Sequence, residues 1–210
     1  MADLVERIDV ARNLGMQPRV HPNGFLQLDL TPEKTRRMHV WHDDLPRQEV
    51  ATPIHDHEFD LQSWVHLGKL MNIGYKVDIP HPDSDGDIYQ PHRVVRIPDT
   101  EETQLVPDGG PLQIQDIRRE EVKPGQMYSL KYNRYHVSQH EGTSLSIMRK
   151  QILAVGHAAT VLVPEGQQPD NGFVREEHDV DALWDLAYET ARAADELGAE
   201  FKKPEPPVLR

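Results

Sequence analysis

Two histidines one residue apart, His55 and His57 in TPIHDHEFDLQSWVHLGKL, are the side chains best suited to chemistry in this chain. Neutral imidazole is a good ligand for divalent metals. On a strand, residues i and i+2 point to the same face, about 6–7 Å apart along the backbone, so both rings can reach one ion. With 12 histidines in 210 residues, random placement alone would give roughly 0.7 His-x-His pairs. The pair therefore needs a third ligand from elsewhere in the chain before it means anything. The chain has no cysteine, which excludes disulfides, thiolate-bound zinc and iron–sulfur clusters and leaves His, Asp and Glu as strong ligands. Glu58 and Asp60 are out of phase with the pair and would need a bulge to join it, so Asp60 reads as structural. His39 and His42 in MHVWH are spaced by an odd number and fall on opposite strand faces.

The elements that must position such a site are mostly strands. GFLQLDL (24–30) alternates, with Leu26, Leu28 and Leu30 on one face, and TRRMHVWH (35–42) reads as a second strand. Further strand-like segments cover 62–67, 70–77, 87–97, 112–121, 126–132, 144–153 and 160–163. Turn signals such as HPDSDGD, PDGGP, KPGQ, HEGT and PEGQQPDNG separate most of them. Many short strands punctuated this way predict an all-β sandwich or barrel. A helix is expected over 3–13, with Asp3 and Glu6 in a capping-box pattern and Gly15 as a stop. A second fits 176–201, where Val180, Leu183, Trp184, Ala187 and Ala191 recur at helical spacing. Trp41 and Trp64 read as core residues. With no internal repeat and no linker, the expectation is one domain over 1–210: N-terminal helix 1–16, barrel 24–163, C-terminal helix 176–201 and a loose proline-rich tail 202–210.

Composition narrows the function classes. The formal charge is −12 and the only adjacent cations in the central strands are short pairs such as Arg118-Arg119, so a nucleic-acid partner is not expected. No apolar run approaches the ~18 residues of a membrane span, and the acid-bearing N-terminus reads as a helix rather than a signal peptide. Cysteine absence fits a cytoplasmic location. No Gly-x-Ser-x-Gly elbow, P-loop or dinucleotide fingerprint is present. HPDSDGD lacks the full calcium-loop pattern and reads as a solvated turn.

Residues 52–70 and 123–148 resemble the two motifs of the cupin superfamily. In the first motif, Gly-x5-His-x-His-x3-4-Glu-x6-Gly, the matches are His55, His57 and Gly68. Glu49 stands at the opening glycine, and the glutamate position falls on Leu61 or Gln62. In the second, Gly-x5-Pro-x-Gly-x2-His-x3-Asn, His136 aligns Gly125 with the first glycine, Lys131 with the proline, Asn133 with the second glycine and His140 with the asparagine. Asn tolerates the left-handed conformation such a glycine often adopts.

The resemblance implies an all-β, cupin-type double-stranded β-helix (a jelly-roll barrel) flanked by the two helices. It also implies a divalent metal on His55, His57 and His136, with Fe(II) favoured and zinc, manganese or nickel as alternatives. Three neutral imidazoles leave the ion's double charge uncompensated, which suits a small anionic substrate. Three-histidine iron cupins include thiol dioxygenases and related ring- or carbon-bond-cleaving oxygenases, so a mononuclear iron dioxygenase is the leading expectation. A redox-neutral isomerase, epimerase or lyase and a non-catalytic binding module are the alternatives. Gln62 is a candidate weak ligand or donor to bound oxygen, Tyr135 and His140 are candidate catalytic groups, and Tyr128 and Arg149 are candidate pocket residues. A homodimer paired through an edge strand such as 24–30 is one option for the assembly.

Overall fold

The computed structural model describes residues 3–45, 54–83, 85–97, 103–153, 156–169 and 178–200. The expected tail 202–210, the helix positions 176, 177 and 201, and Glu49 lie outside them. The first helix, α1 (Leu4–Asn13), starts as the sequence predicts: the Asp3 carboxylate accepts the Glu6 backbone N–H at 2.7 Å. Asp195, on the C-terminal helix α2 (Val180–Glu200), adds a second cap by accepting the N–H groups of Leu4 and Val5 at 2.9 and 3.2 Å. Leu4, Ile8 and Ala11 share one stripe and pack with Leu183, Trp184, Ala187 and Ala191.

Among the described residues, ten strands form one curled antiparallel sheet: β1 (Arg19–His21), β2 (Phe25–Asp29), β3 (Arg36–Trp41), β4 (Phe59–Asp78), β5 (Ile88–Arg96), β6 (Thr103–Pro107), β7 (Leu112–Val122), β8 (Met127–Leu130), β9 (Tyr135–Ile152) and β10 (Thr160–Pro164). The order is β1-β2-β3-β9-β4-β7-β5-β10, with β8 on β4 and β6 on β5. A mostly antiparallel curled sheet with a helix at either end is consistent with the expected cupin or jelly-roll-like fold. The two segments read as separate strands, 62–67 and 70–77, are one strand, β4. Its register shifts around Leu67, where Gly68 has φ +69° and a Cβ would overlap the Thr143 carbonyl and the Ser144 hydroxyl. The glycine bends the strand rather than ending it. Beyond this bend β4 and β9 run on together, so each contributes to two portions of the sheet: 59–67 pairs with 145–152, and 69–75 with 135–141.

The segment 54–56 closes the sheet on itself. His55 exchanges backbone bonds with His136 of β9 (3.2 and 2.9 Å), Asp56 N–H donates to the Thr160 carbonyl (3.0 Å), and Leu162 N–H donates to the Ile54 carbonyl (2.9 Å). The barrel seam and the His-x-His motif are thus the same piece of chain. Leu26, Leu28 and Leu30 share a face as expected, and that face meets the two helices. The opposite face is buried as well: Gln27 is 4% and Asp29 6% exposed. It continues across the sheet into Trp41, Phe59, Leu61, Val65, Tyr128 and Met148, the wall on which the site is built.

Candidate metal centre

The three histidines converge. One ring nitrogen from each of His55, His57 and His136 lies within 4.8 Å of the other two. The ring centroids are 4.6 Å apart for His55 and His136, 4.9 Å for His57 and His136, and 5.0 Å for His55 and His57. The cause is local. His55 and His136 are directly opposed in the seam, so their side chains share a face, and His57 joins them two residues later.

Electrostatics suits the rings to metal rather than protons. Burial, reinforced by the neighbouring His55, pushes His136 down to about 3. Burial followed by the proximity of His136 and His55 holds His57 well below the usual imidazole range. Both rings are neutral near pH 7 and keep a lone pair. Nδ1 of His136 lies 3.3 Å from the Arg134 carbonyl; a carbonyl can only accept, so Nδ1 carries the proton and Nε2 offers its lone pair. The His57 ring stacks on Phe59 at 4.9 Å with 17° between the planes, which fixes its orientation.

Asp56, between the two ligands in sequence, points the other way and is 2% exposed. Its carboxylate accepts the Thr160 backbone N–H at 2.6 Å and lies 2.8 Å from His157 Nε2. It ties the seam to the 157–160 segment from the face opposite the rings.

The other candidate residues fall in different places. Tyr128 is buried in the wall, directly opposite Ser63. Gln62 does not join the histidines: it is exposed, one residue out of phase with buried Leu61 and Ser63. Arg149, paired with Gln62, shares that exposed side. Tyr135 also lies off the cluster. Adjacent to His136, it faces the opposite side, packs against Ile54, Val137 and Leu162, and bonds the Thr160 hydroxyl at 3.0 Å. His140 is on the His136 face but four residues further along β9, about 13 Å at strand rise, with Nδ1 2.9 Å from the Gly142 carbonyl. Asp60 is structural as expected, accepting from Lys131 Nζ at 2.6 Å and Tyr132 N–H at 2.9 Å. Asn133 has φ +53°, the left-handed geometry foreseen for it.

Sequence reasoning weighed His39 only as a partner of His42 and passed over Lys150. Strand parity could have found them, because β2, β3 and β9 are in register as Asp29–Arg37–Met148 and Gln27–His39–Ser146.

The chain matches no family model, and no curated protein matches it. Among solved structures it is similar to hydroquinone 1,2-dioxygenase PnpCD, determined in complex with Cd2+ and 4-hydroxybenzonitrile. The identity is 13% over 74% of this chain and 78% of that one, with a TM-score of 0.33. At that level of likeness, the reading of the site rests on its own geometry. Three convergent imidazoles, two of them held neutral by burial, are a donor set that fits a divalent metal ion. Among the described residues, no helix is long and apolar enough to cross a membrane.

Proposed function

We propose that His55, His57 and His136 hold one divalent metal ion, Fe(II) in preference to zinc, manganese or nickel. On this reading the protein is a metal-dependent, cupin-like dioxygenase acting on a small anionic substrate. One observation carries it: three imidazole nitrogens within 4.8 Å, drawn from chain positions about eighty residues apart. A bound iron would supply a site where substrate and dioxygen meet.

The chain's own residues do the rest. The Arg134 carbonyl holds the His136 tautomer, Phe59 sets the plane of the His57 ring, and Asp56 anchors the seam that carries two ligands. Trp41, Phe59, Val65 and Met148 provide an apolar wall that excludes water and orients a substrate.

The test is metal analysis of untagged protein, followed by oxygen uptake over a panel of small carboxylic acids and thiols. One equivalent of iron with substrate-dependent uptake is expected. Zinc or nickel with no uptake would replace the oxygenase with a redox-neutral enzyme. No bound metal, or full occupancy in a His55→Ala, His57→Ala double variant, would overturn the reading.

A further inference from the structure

Beside the histidines, the buried face of β1, β2, β3 and β9 carries more positive than negative charge. Arg37 Nε donates to Asp29 Oδ1 at 2.6 Å, and Arg19 Nη2 lies 3.4 Å from Asp29 Oδ2. One carboxylate thus already serves two guanidinium groups. Lys150, on the same face and half-buried, brings a third cation. Its Nζ lies 4.6 Å above the centre of the Phe59 ring, and no carboxylate among the described residues is within ion-pair distance of it. Burial first and then Arg37 lower its pKa to about 7, against the opposing pull of Asp29 and Glu58.

His39 adds an independent sign that something is missing. It is 9% exposed, packs between Phe25 and Trp41, and its Nε2 is buried without a hydrogen-bond partner among the described residues. Burial, Arg37 and Lys150 keep its ring neutral. A half-buried ammonium with no carboxylate in direct contact, on which Asp29 and Glu58 act only from a distance, and an unsatisfied ring nitrogen are both costly, and both costs fall when an anion with a hydrogen-bonding oxygen enters.

The location ties this wall to the metal centre. Phe59 is the shared ring, with Lys150 over it and His57 stacked against it. His39 and His21 are close enough to His57 to disfavour its protonation. The remaining lining, Phe25, Trp41, Tyr128 and Met148, is aromatic or apolar.

We propose that Lys150 and His39, backed by the Arg37–Asp29 pair, form a recognition subsite for the carboxylate of a small acid with a flat apolar body, whose other end lies at the three-histidine centre. The proposal rests on the metal reading only for that other end. The carboxylate is held by Lys150 Nζ and by the His39 Nε2–H tautomer. Phe59 and Trp41 contact the body.

The test uses the full-length, untagged chain, metal-free and loaded with Co(II). It is titrated with benzoate, neutral benzamide and butyrate, and read by heat release and by the visible Co(II) absorption. Benzoate is expected to bind at least tenfold more tightly than benzamide in both forms. Lys150→Met should weaken benzoate tenfold or more and leave benzamide and Co(II) stoichiometry unchanged, while Lys150→Arg keeps the preference. Equal affinity for benzoate and benzamide, no carboxylate binding at millimolar concentration, or undiminished benzoate binding by Lys150→Met overturns the subsite. In the last case, undiminished binding confined to the Co(II) form puts the carboxylate on the metal. If wild-type protein takes up no Co(II), the metal reading falls, and titration of the metal-free chain still decides the subsite. If Lys150→Met does not fold, the wild-type comparison and Lys150→Arg decide it.

Discussion

Asp56 gives the sharpest test of how the fold makes the site, because it touches no ligand atom yet governs the segment bearing two of them. Asp56→Ala removes the 2.6 Å bond to the Thr160 N–H and the 2.8 Å contact with His157. A hydrogen bond to a charged group contributes about 1.5–3 kcal/mol, and a buried donor left unpaired costs about 1–3 kcal/mol. Thr160 is 5% exposed, so its N–H gains little from water. His157, more exposed, recovers most of its loss. The sum is about 3–4 kcal/mol of stability in the metal-free protein, measured by urea unfolding followed by circular dichroism.

Because the same segment positions His55 and His57, affinity for Zn(II), measured by competition with a chromophoric chelator, should also fall by about 10- to 100-fold, as for other groups that orient metal ligands. Asp56→Asn keeps an oxygen for Thr160, and His157 can change tautomer to meet the amide nitrogen. Its cost should be about 1–2 kcal/mol, with a smaller loss of metal. A stability change below about 1 kcal/mol for Asp56→Ala, or unaltered Zn(II) affinity, would show that the seam is not what holds the two ligands in place.

Three further outcomes are expected. Gly68→Ala forces a side chain onto a left-handed residue and into the Thr143 carbonyl and Ser144 hydroxyl, so it should cost about 3 kcal/mol by thermal or urea unfolding; a neutral result would remove the bend as a constraint. His57→Ala should bind well under one equivalent of metal by elemental analysis while keeping the far-ultraviolet spectrum of wild type, since the bond this segment makes to Asn133 uses the His57 backbone carbonyl and not the ring. For pH, Lys150 loses its proton near 7 in the folded chain but near 10.5 when unfolded. The unfolded state then holds more protons between those values, and stability must rise with pH through that window. After allowance for its partial exposure, wild type should gain about 1 kcal/mol relative to Lys150→Met between pH 7 and 9, and parallel unfolding curves for the two proteins would contradict the burial of this ammonium.

The helices and most strands were legible because their signals are local. Asp3 before an apolar stripe at Leu4, Ile8 and Ala11 is sufficient for α1, and period-two alternation is sufficient for β2 and β3. Gly68 misled for a physical reason: a glycine that ends a strand and one that bends it look the same in sequence, and only the partner strand at Thr143 and Ser144 separates the cases. β1 and β6 are three and five residues long, too short to show a period. The phase of His55 and His57 was readable, whereas the third histidine came from a resemblance and not from anything local. Tyr135 could have been set aside by parity alone, since a strand residue next to His136 must face away from it.

Local alternation does not disclose what the polar residues of a strand face. In Phe25–Asp29 the leucines at 26 and 28 are apolar while Gln27 and Asp29 are polar, which ordinarily means core on one side and water on the other. Here both sides are covered: the leucines meet two helices, and Gln27 and Asp29 face the barrel wall at 4% and 6% exposure. The alternation is therefore a boundary between two interiors of different chemistry. The same holds in β3, where Met38 and Val40 meet the helices while Arg37 and His39 join the polar wall. A protein that needed only stability would fill the second interior with hydrocarbon, since buried charges with incomplete partners cost more than they return. A Lys150 in ion-pair contact with no carboxylate, and a His39 Nε2 with no hydrogen-bond partner, among the described residues make sense if that interior is completed by a bound anion. The requirement is concrete enough to fail: an inward-facing Lys150→Met, His39→Phe variant should be more stable than wild type when no ligand is present, by urea unfolding at pH 7. If it is less stable, the polar wall is a structural element in its own right, and a ligand is not needed to explain it.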